Sequence, residues 1–242
     1  MPVTRLLFPH RCLACGTPGA PVCAGCLREV GVVTPPVCER CGRPWEEPVV
    51  SCRDCPPRPV DAARAPFLYG GAVGRAIRGL KFSGWRALAP HLAGGMAASV
   101  EPALLDGVEA VCWVPLSARR RRRRGFDQAE LLARGLGRRL SLPVEGLLRR
   151  WRNTREQARR GGPERHAATR GAFAARRGAP RTLLLVDDVL TTGATAGACA
   201  AALRAAGARR VVLVTAARAV GGPVPARCRG IQGIGVGRGD PL

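Results

Sequence analysis

At 242 residues the chain has room for one ordinary α/β domain and a small attached module, and its 46% hydrophobic content suffices for a packed core. A net charge of +22 favours polyanionic partners, nucleic acid first and anionic lipid second, while only 4% aromatic residues argues against an extended base-stacking platform. No run approaches the ~18–20 apolar residues that cross a bilayer, and no apolar stretch follows a basic start, so the chain reads as cytoplasmic without membrane insertion.

The first 58 residues are dominated by cysteine. Four C-x2-C pairs occur in order: Cys12 and Cys15, Cys23 and Cys26, Cys38 and Cys41, Cys52 and Cys55. A two-residue gap lets both thiolates of a knuckle face one tetrahedral ion about 2.3 Å away. Gly16 and Gly42 directly follow the second cysteine of their pairs, where a tight turn needs a small residue. Eight thiolates make two four-cysteine sites, so two structural zinc ions are expected. The simplest pairing is sequential, and the spacing leaves an interleaved one open. A disulfide framework does not suit a reducing cytosol, and four repeated pairs do not suit a single redox dithiol. Isolated Cys112, Cys199 and Cys228 read as packing residues. Such a ribbon has little apolar core, so metal supplies much of its folding energy.

The prolines of PPRPV, starting at Pro56, mark a boundary. Gly74 to Leu80 reads as a basic helical segment running into Lys81 and Phe82. Lys81 is the one lysine among 39 basic residues. An arginine- and alanine-rich chain of this kind also follows from GC-rich coding, so charge alone leaves nucleic-acid contact open. Leu88 to Val100 reads as a helix with Leu88, Leu92 and Met96 at i, i+4, i+8. Ala110 to Pro115 looks like a buried strand. Phe126 to Leu140 is helical, with Leu131, Leu132, Leu136 and Leu140 as its apolar stripe. Thr182 to Val186 and Val211 to Thr215 are apolar runs flanking an alanine-rich helix, Ala194 to Ala206. Strand, helix, strand of these lengths predicts parallel pairing through a right-handed crossover. From Gly221 onward the chain is rich in Gly and Pro, lacks periodicity and is expected to be loosely ordered.

The segment LLLVDDVLTTGAT ends at Thr195 and carries the sharpest chemistry. Asp187 and Asp188 fall at the carboxyl end of a strand, where open α/β sheets bind ligands. Thr191, Thr192, Gly193, Ala194 and Thr195 then turn the chain into a helix whose N-terminus offers unpaired N–H groups to a phosphate. The acids suit ribose hydroxyls and would repel phosphate. A nucleotide triphosphatase needs G-x-x-x-x-G-K-[ST], and here Phe82 follows the lone lysine. The 13-residue pattern resembles the phosphoribosyl-pyrophosphate signature of type I phosphoribosyltransferases, which implies an α/β fold with a parallel sheet core flanked by helices.

Arg119 to Arg124 stand between the strand at Ala110 and the helix at Phe126, within VPLSARRRRRRGFDQAE. Six like charges make a solvated run by default. Their position at the same sheet edge as the acid pair lets them hold a pyrophosphate through bidentate bonds, or track a nucleic-acid backbone.

With these segments in order, the chain resembles the ComF family of competence-associated proteins and its GntX-like relatives, over roughly residues 10 to 218. The likeness rests on the cysteine ribbon, IRGLKFSG, VPL…RRRGFDQAELLA, NTREQARR and LLLVDDVLTTGAT. It implies that Asp187, Asp188 and Thr191 to Thr195 bind the ribose and 5′-phosphate of phosphoribosyl pyrophosphate with Mg²⁺. It also implies that Lys81 contacts the pyrophosphate and that Arg120 and Arg124 are the family's two characteristic arginines. Asp127 stands where the family usually has Asn. Gln157 matches its TQ position, and Ala168 replaces an Asn before the pair Ala172 and Phe173. The resulting division is a double zinc ribbon over 1–58, a phosphoribosyltransferase-type domain over 59–220 and a Gly/Pro-rich tail over 221–242.

The resemblance further implies handling of incoming single-stranded DNA in natural transformation or a related process, alongside other competence proteins. The alternative is a conventional nucleobase or amine phosphoribosyltransferase of nucleotide metabolism, against which no base-binding hood or glutaminase segment is recognisable. A third reading is a nucleic-acid adaptor with a regulatory pocket. If the chain is a glycosyltransferase of this type, pyrophosphate is displaced at the anomeric carbon. No general base is identifiable, since His10, His91 and His166 fit none of the motifs.

Overall fold

The computed structural model describes residues 11–151, apart from 13, 20 and 21, and residues 171–228. Among these, the strands in chain order are β1 (Ala62–Arg64), β2 (Phe67–Leu68), β3 (Ala110–Trp113), β4 (Leu148–Arg150), β5 (Phe173–Ala175), β6 (Thr182–Leu190) and β7 (Arg210–Arg218). The helices are α1 (Ala24–Arg28), α2 (Gly71–Phe82), α3 (Ala89–Ala98), α4 (Pro102–Leu105), α5 (Ala118–Arg124), α6 (Gln128–Leu140) and α7 (Ala194–Ala205).

The main sheet is parallel, in the order β1-β7-β6-β3, with β2 continuing beside β7 past the end of β1. The β6-α7-β7 unit is the predicted crossover, in register from Thr182 opposite Arg210 to Leu190 opposite Arg218. Helices cover both faces, so the central strands are apolar on both sides, as buried parallel strands require. Alternation along β6 sends Leu184 and Val186 toward α2, α3 and α6, where they meet Ile77, Met96, Leu132 and Leu136. Leu183 and Leu185 face α7, where they meet Cys199 and Leu203. The antiparallel β4-β5 pair packs on this second side through Leu148 and Phe173.

Several elements depart from their sequence-based limits. The helix expected over Leu88 to Val100 is a short 3-10 turn, Arg86–Leu88, followed by α3 with Pro90 in its first turn. The arginine run is helical, because Ser117 accepts a hydrogen bond from the Arg120 amide at its start and left-handed Gly125 closes its end. Of the Gly/Pro-rich tail, 229–242 lie outside the described residues; in the described part Gly221, Gly222, Pro223 and Ala226 are exposed, while Arg227 and Cys228 are held against the ribbon. Arg227 donates to the carbonyls of Pro35 (2.8 Å), Pro36 (3.0 Å) and Trp45, and Cys228 is buried. Among the described residues no helix is long and apolar enough to cross a membrane.

Candidate functional site

β6 outlasts its apolar stretch. Asp187 and Asp188 lie inside the strand, which pairs with β7 as far as Leu190. Thr191 and Thr192 then lead to Gly193, left-handed at φ 73°, which caps α7 without offering a side chain. A cavity of about 60 Å³ opens here, lined by Asp187, Thr191 to Ala196 and the buried Thr215 of β7 among others. That space suits a phosphate-sized group beside a helix N-terminus. Gly193 also has a steric duty, because a Cβ there would lie 2.5 Å from Cβ of Pro56. The prolines expected only to mark a boundary thus pack on the loop.

Successive strand residues face opposite sides of a sheet, and the acid pair obeys this. Asp187 lines the cavity. Asp188 is turned to the α2 and α6 side, where Lys81 Nζ lies 2.9 Å from its Oδ1 and Gln128 Nε2 donates to its Oδ2 at 2.9 Å. Arg124 in turn donates to Gln128 Oε1 at 2.8 Å. The structure therefore brings Lys81, Arg124 and both acids together, with only Asp187 among them lining the cavity. Lys81 is an ion-pair partner of the acid pair, a contact that its expected pyrophosphate role did not include. Burial first, then the charge of Asp188, pushes the Asp187 carboxyl up to about 8, with Lys81 opposing. A carboxyl raised in this way keeps its proton to higher pH than an ordinary aspartate, and the protonated form donates as well as accepts a hydrogen bond.

Gln128 is absent from the residues the sequence singles out, although it carries a signal: it continues the Leu132 and Leu136 stripe backward by four residues, and it is buried. A polar residue on an apolar stripe needs a partner, and Asp188 is that partner. Asp127 takes a structural part. As N-cap of α6 it accepts from the amides of Ala129 (3.0 Å), Glu130 (3.4 Å) and Leu116 (2.9 Å), and burial pushes its pKa up against those bonds. Arg120 is partly buried on α5. His91 is exposed on α3, while His10, His166, Gln157 and Ala168 lie outside the described residues.

The eight ribbon cysteines form two groups in sequential pairing, Cys12, Cys15, Cys23 and Cys26, then Cys38, Cys41, Cys52 and Cys55, with the sulfurs of each group within 4.8 Å of one another. Tetrahedral zinc at 2.3 Å from sulfur requires S···S edges of about 3.8 Å. The measured edges are 3.6 Å for Cys15 and Cys23, 3.7 Å for Cys38 and Cys55, 3.5 Å for Cys41 and Cys52 and 3.9 Å for Cys52 and Cys55. The donor sets fit zinc. Cys112 and Cys199 are buried in the apolar core, as expected of packing residues.

Arginines join the ribbon to the sheet. Arg218, buried at the end of β7, donates to the carbonyls of Cys41 and Asp54, both at 2.8 Å. Arg43 pairs with Asp54 and donates to the Gly221 and Pro223 carbonyls at 3.3 Å. In the first knuckle, Arg75 of α2 reaches the Ala14 carbonyl at 2.8 Å and Cys26 Sγ at 3.6 Å.

Residues 3–56 match the double zinc ribbon domain family. Over a longer span the chain is 30% identical across 220 residues to the DNA utilization protein YhgH of Escherichia coli O157:H7, covering 85% of this chain and 96% of that protein. It is 28% identical across 209 residues to competence protein F of Haemophilus influenzae, covering 82% and 90%. With competence protein ComFC of Bacillus subtilis it shares 28% identity across 188 residues, covering 74% and 75%. Among solved structures, glutamine phosphoribosylpyrophosphate amidotransferase from B. subtilis aligns at TM-score 0.36 and 22% identity, over 53% of this chain and 26% of that one.

Proposed function

The chain belongs to the ComF family, and from that membership we propose that it is a phosphoribosyl-pyrophosphate-binding protein acting in DNA uptake or related DNA handling. The observation that carries the ligand assignment is the cavity shared by Asp187, Gly193 and the threonines at the start of α7. There the loop amides and hydroxyls would take the 5′-phosphate, and Asp187 would take a ribose hydroxyl. Asp188 would hold Lys81 on the α2 side of the strand until the pyrophosphate draws the ammonium away. Mg²⁺ would neutralise part of the pyrophosphate charge. The names of the bacterial relatives, competence and DNA utilization proteins, support the DNA role.

In this reading the cysteine groups hold two structural zinc ions within a ribbon over 1–58, the transferase-type domain spans 59–220, and the protein works in the cytoplasm. Single-stranded DNA and other competence proteins are its macromolecular partners.

Calorimetry with phosphoribosyl pyrophosphate and Mg²⁺ tests the assignment. Binding by the intact chain and its loss in the Asp187→Ala, Asp188→Ala double variant support it. Equal binding by a folded double variant rejects it. Pyrophosphate release over a panel of nucleobases and amines separates an enzyme from a binder.

A further inference from the structure

Phe82 ends α2 next to Lys81, and it is 63% exposed, unusual for so large an apolar ring. The Arg124 guanidinium lies over this ring at 4.9 Å from its centroid. The same Arg124 bonds Gln128, and Gln128 bonds Asp188, so a chain of contacts links the exposed ring to Asp188. Arg86 lies over the Phe126 ring at 4.6 Å. The turn that presents Arg86 is anchored by Trp85, whose indole packs on the Cα of Gly79 too closely for any side chain there. The helix that supplies Arg124, α5, also carries the exposed Arg119, Arg121, Arg122 and Arg123.

We propose that Phe82, with Arg124 against it, is a base-stacking platform on which a nucleobase of single-stranded nucleic acid docks, its backbone following the arginines of α5. An exposed ring beside a cation and a run of arginines has the two features that such ligands need, a π-face for a base and positive charge for phosphates. Double-stranded DNA keeps its bases stacked inside and cannot use the ring. One platform also agrees with the low aromatic content, because it grips a base or two and leaves the rest of the strand to arginine. The placement rests on the DNA-handling reading above and adds where on the chain the strand lies.

Fluorescence anisotropy with a twenty-residue oligo-dT carrying one 2-aminopurine tests it over a salt series, using the full zinc-loaded chain. Stacking contributes enough per base that Phe82→Ala weakens binding by about fivefold or more. The salt slope stays unchanged and the quenching of 2-aminopurine is lost. Phe82→Trp restores both. Replacing Arg119, Arg122 and Arg123 together by Ala instead flattens the salt slope, by about 0.7 for each phosphate that is no longer neutralised. A Phe82→Ala chain that melts with the parent and binds within twofold of it overturns the platform while leaving DNA binding intact. An intact chain that does not bind the oligonucleotide overturns the DNA reading and the platform with it. Phosphoribosyl-pyrophosphate binding is measured on the Phe82 variants and stays at the parent level.

Discussion

Gln128 Nε2 lies 2.9 Å from Asp188 Oδ2, across sixty residues of sequence, and joins the arginine helix to the acid pair. Its carbonyl accepts from Arg124 while its amide donates to Asp188, so one side chain serves a cation and an anion in the correct sense at each end.

Gln128→Leu removes both bonds and leaves a buried carboxylate with one partner fewer. The expected loss is about 1–3 kcal/mol, the cost of an unsatisfied buried group. Urea denaturation measures it, and an unchanged midpoint removes Gln128 from the network.

The Lys81 and Asp188 pair is largely buried, so removing one partner should cost more than removing both. Lys81→Met strands a charge and is expected to cost about 3–5 kcal/mol. Adding Asp188→Asn to it restores most of the stability. Additive losses in the double-mutant cycle would mean that the two groups do not interact.

Asp187 gives the fold a pH dependence whose sign follows from its raised carboxyl. Below about pH 4, folded and unfolded chains both hold the proton. As pH rises toward 8 the unfolded chain releases it and the folded chain does not, so this group erodes stability, in full once pH passes 8. Asp187→Asn should therefore melt above the parent at pH 8.5 and with it near pH 4. A variant that shows no gain at alkaline pH contradicts the raised carboxyl.

Metal analysis should return about two zinc ions per chain, falling to about one in Cys38→Ser. Stripping the metal should lower the melting temperature of the whole chain, beyond the ribbon itself. The reason is Arg218, whose buried guanidinium loses the Cys41 and Asp54 carbonyls when the second knuckle loosens. Unaltered melting of the sheet after chelation would show that the two parts do not share stability.

Gly193→Ala places a Cβ in a left-handed residue and against Pro56. Strain of this type costs about 1 kcal/mol or more. Thermal melts should record that loss, with weaker phosphoribosyl-pyrophosphate binding measured beside it.

Local chemistry makes much of this structure legible. The C-x2-C pairs, the crossover around Ala194 to Ala205 and the loop at Thr191 to Thr195 all follow from short-range pattern. What escapes it depends on residues far apart. The opposed directions of Asp187 and Asp188 require β6 to run on to Leu190, and its pairing partners on β7 keep it extended there. β1 and β2 are brief, and their place comes from β7 rather than from any run of apolar residues. Gly221 to Cys228 lacks periodicity because its order comes from Arg43 and Arg227 bonding across to the ribbon. Gln128 is visible in its own helix but has meaning only beside Asp188.

The packing of Pro56 and Pro57 on Gly193 and Gly197 has a consequence for modularity. Cys55 is the last cysteine of its group and Pro56 is its neighbour, so one peptide bond separates the second cysteine group from the wall of the loop at Thr191 to Thr195. A version cut down to the sheet and helices would expose that loop on its back side, and a ribbon grafted from elsewhere would need the same two prolines in the same place. A larger side chain at Gly193 or Gly197 would press on the end of the ribbon, so the two parts share one packed seam.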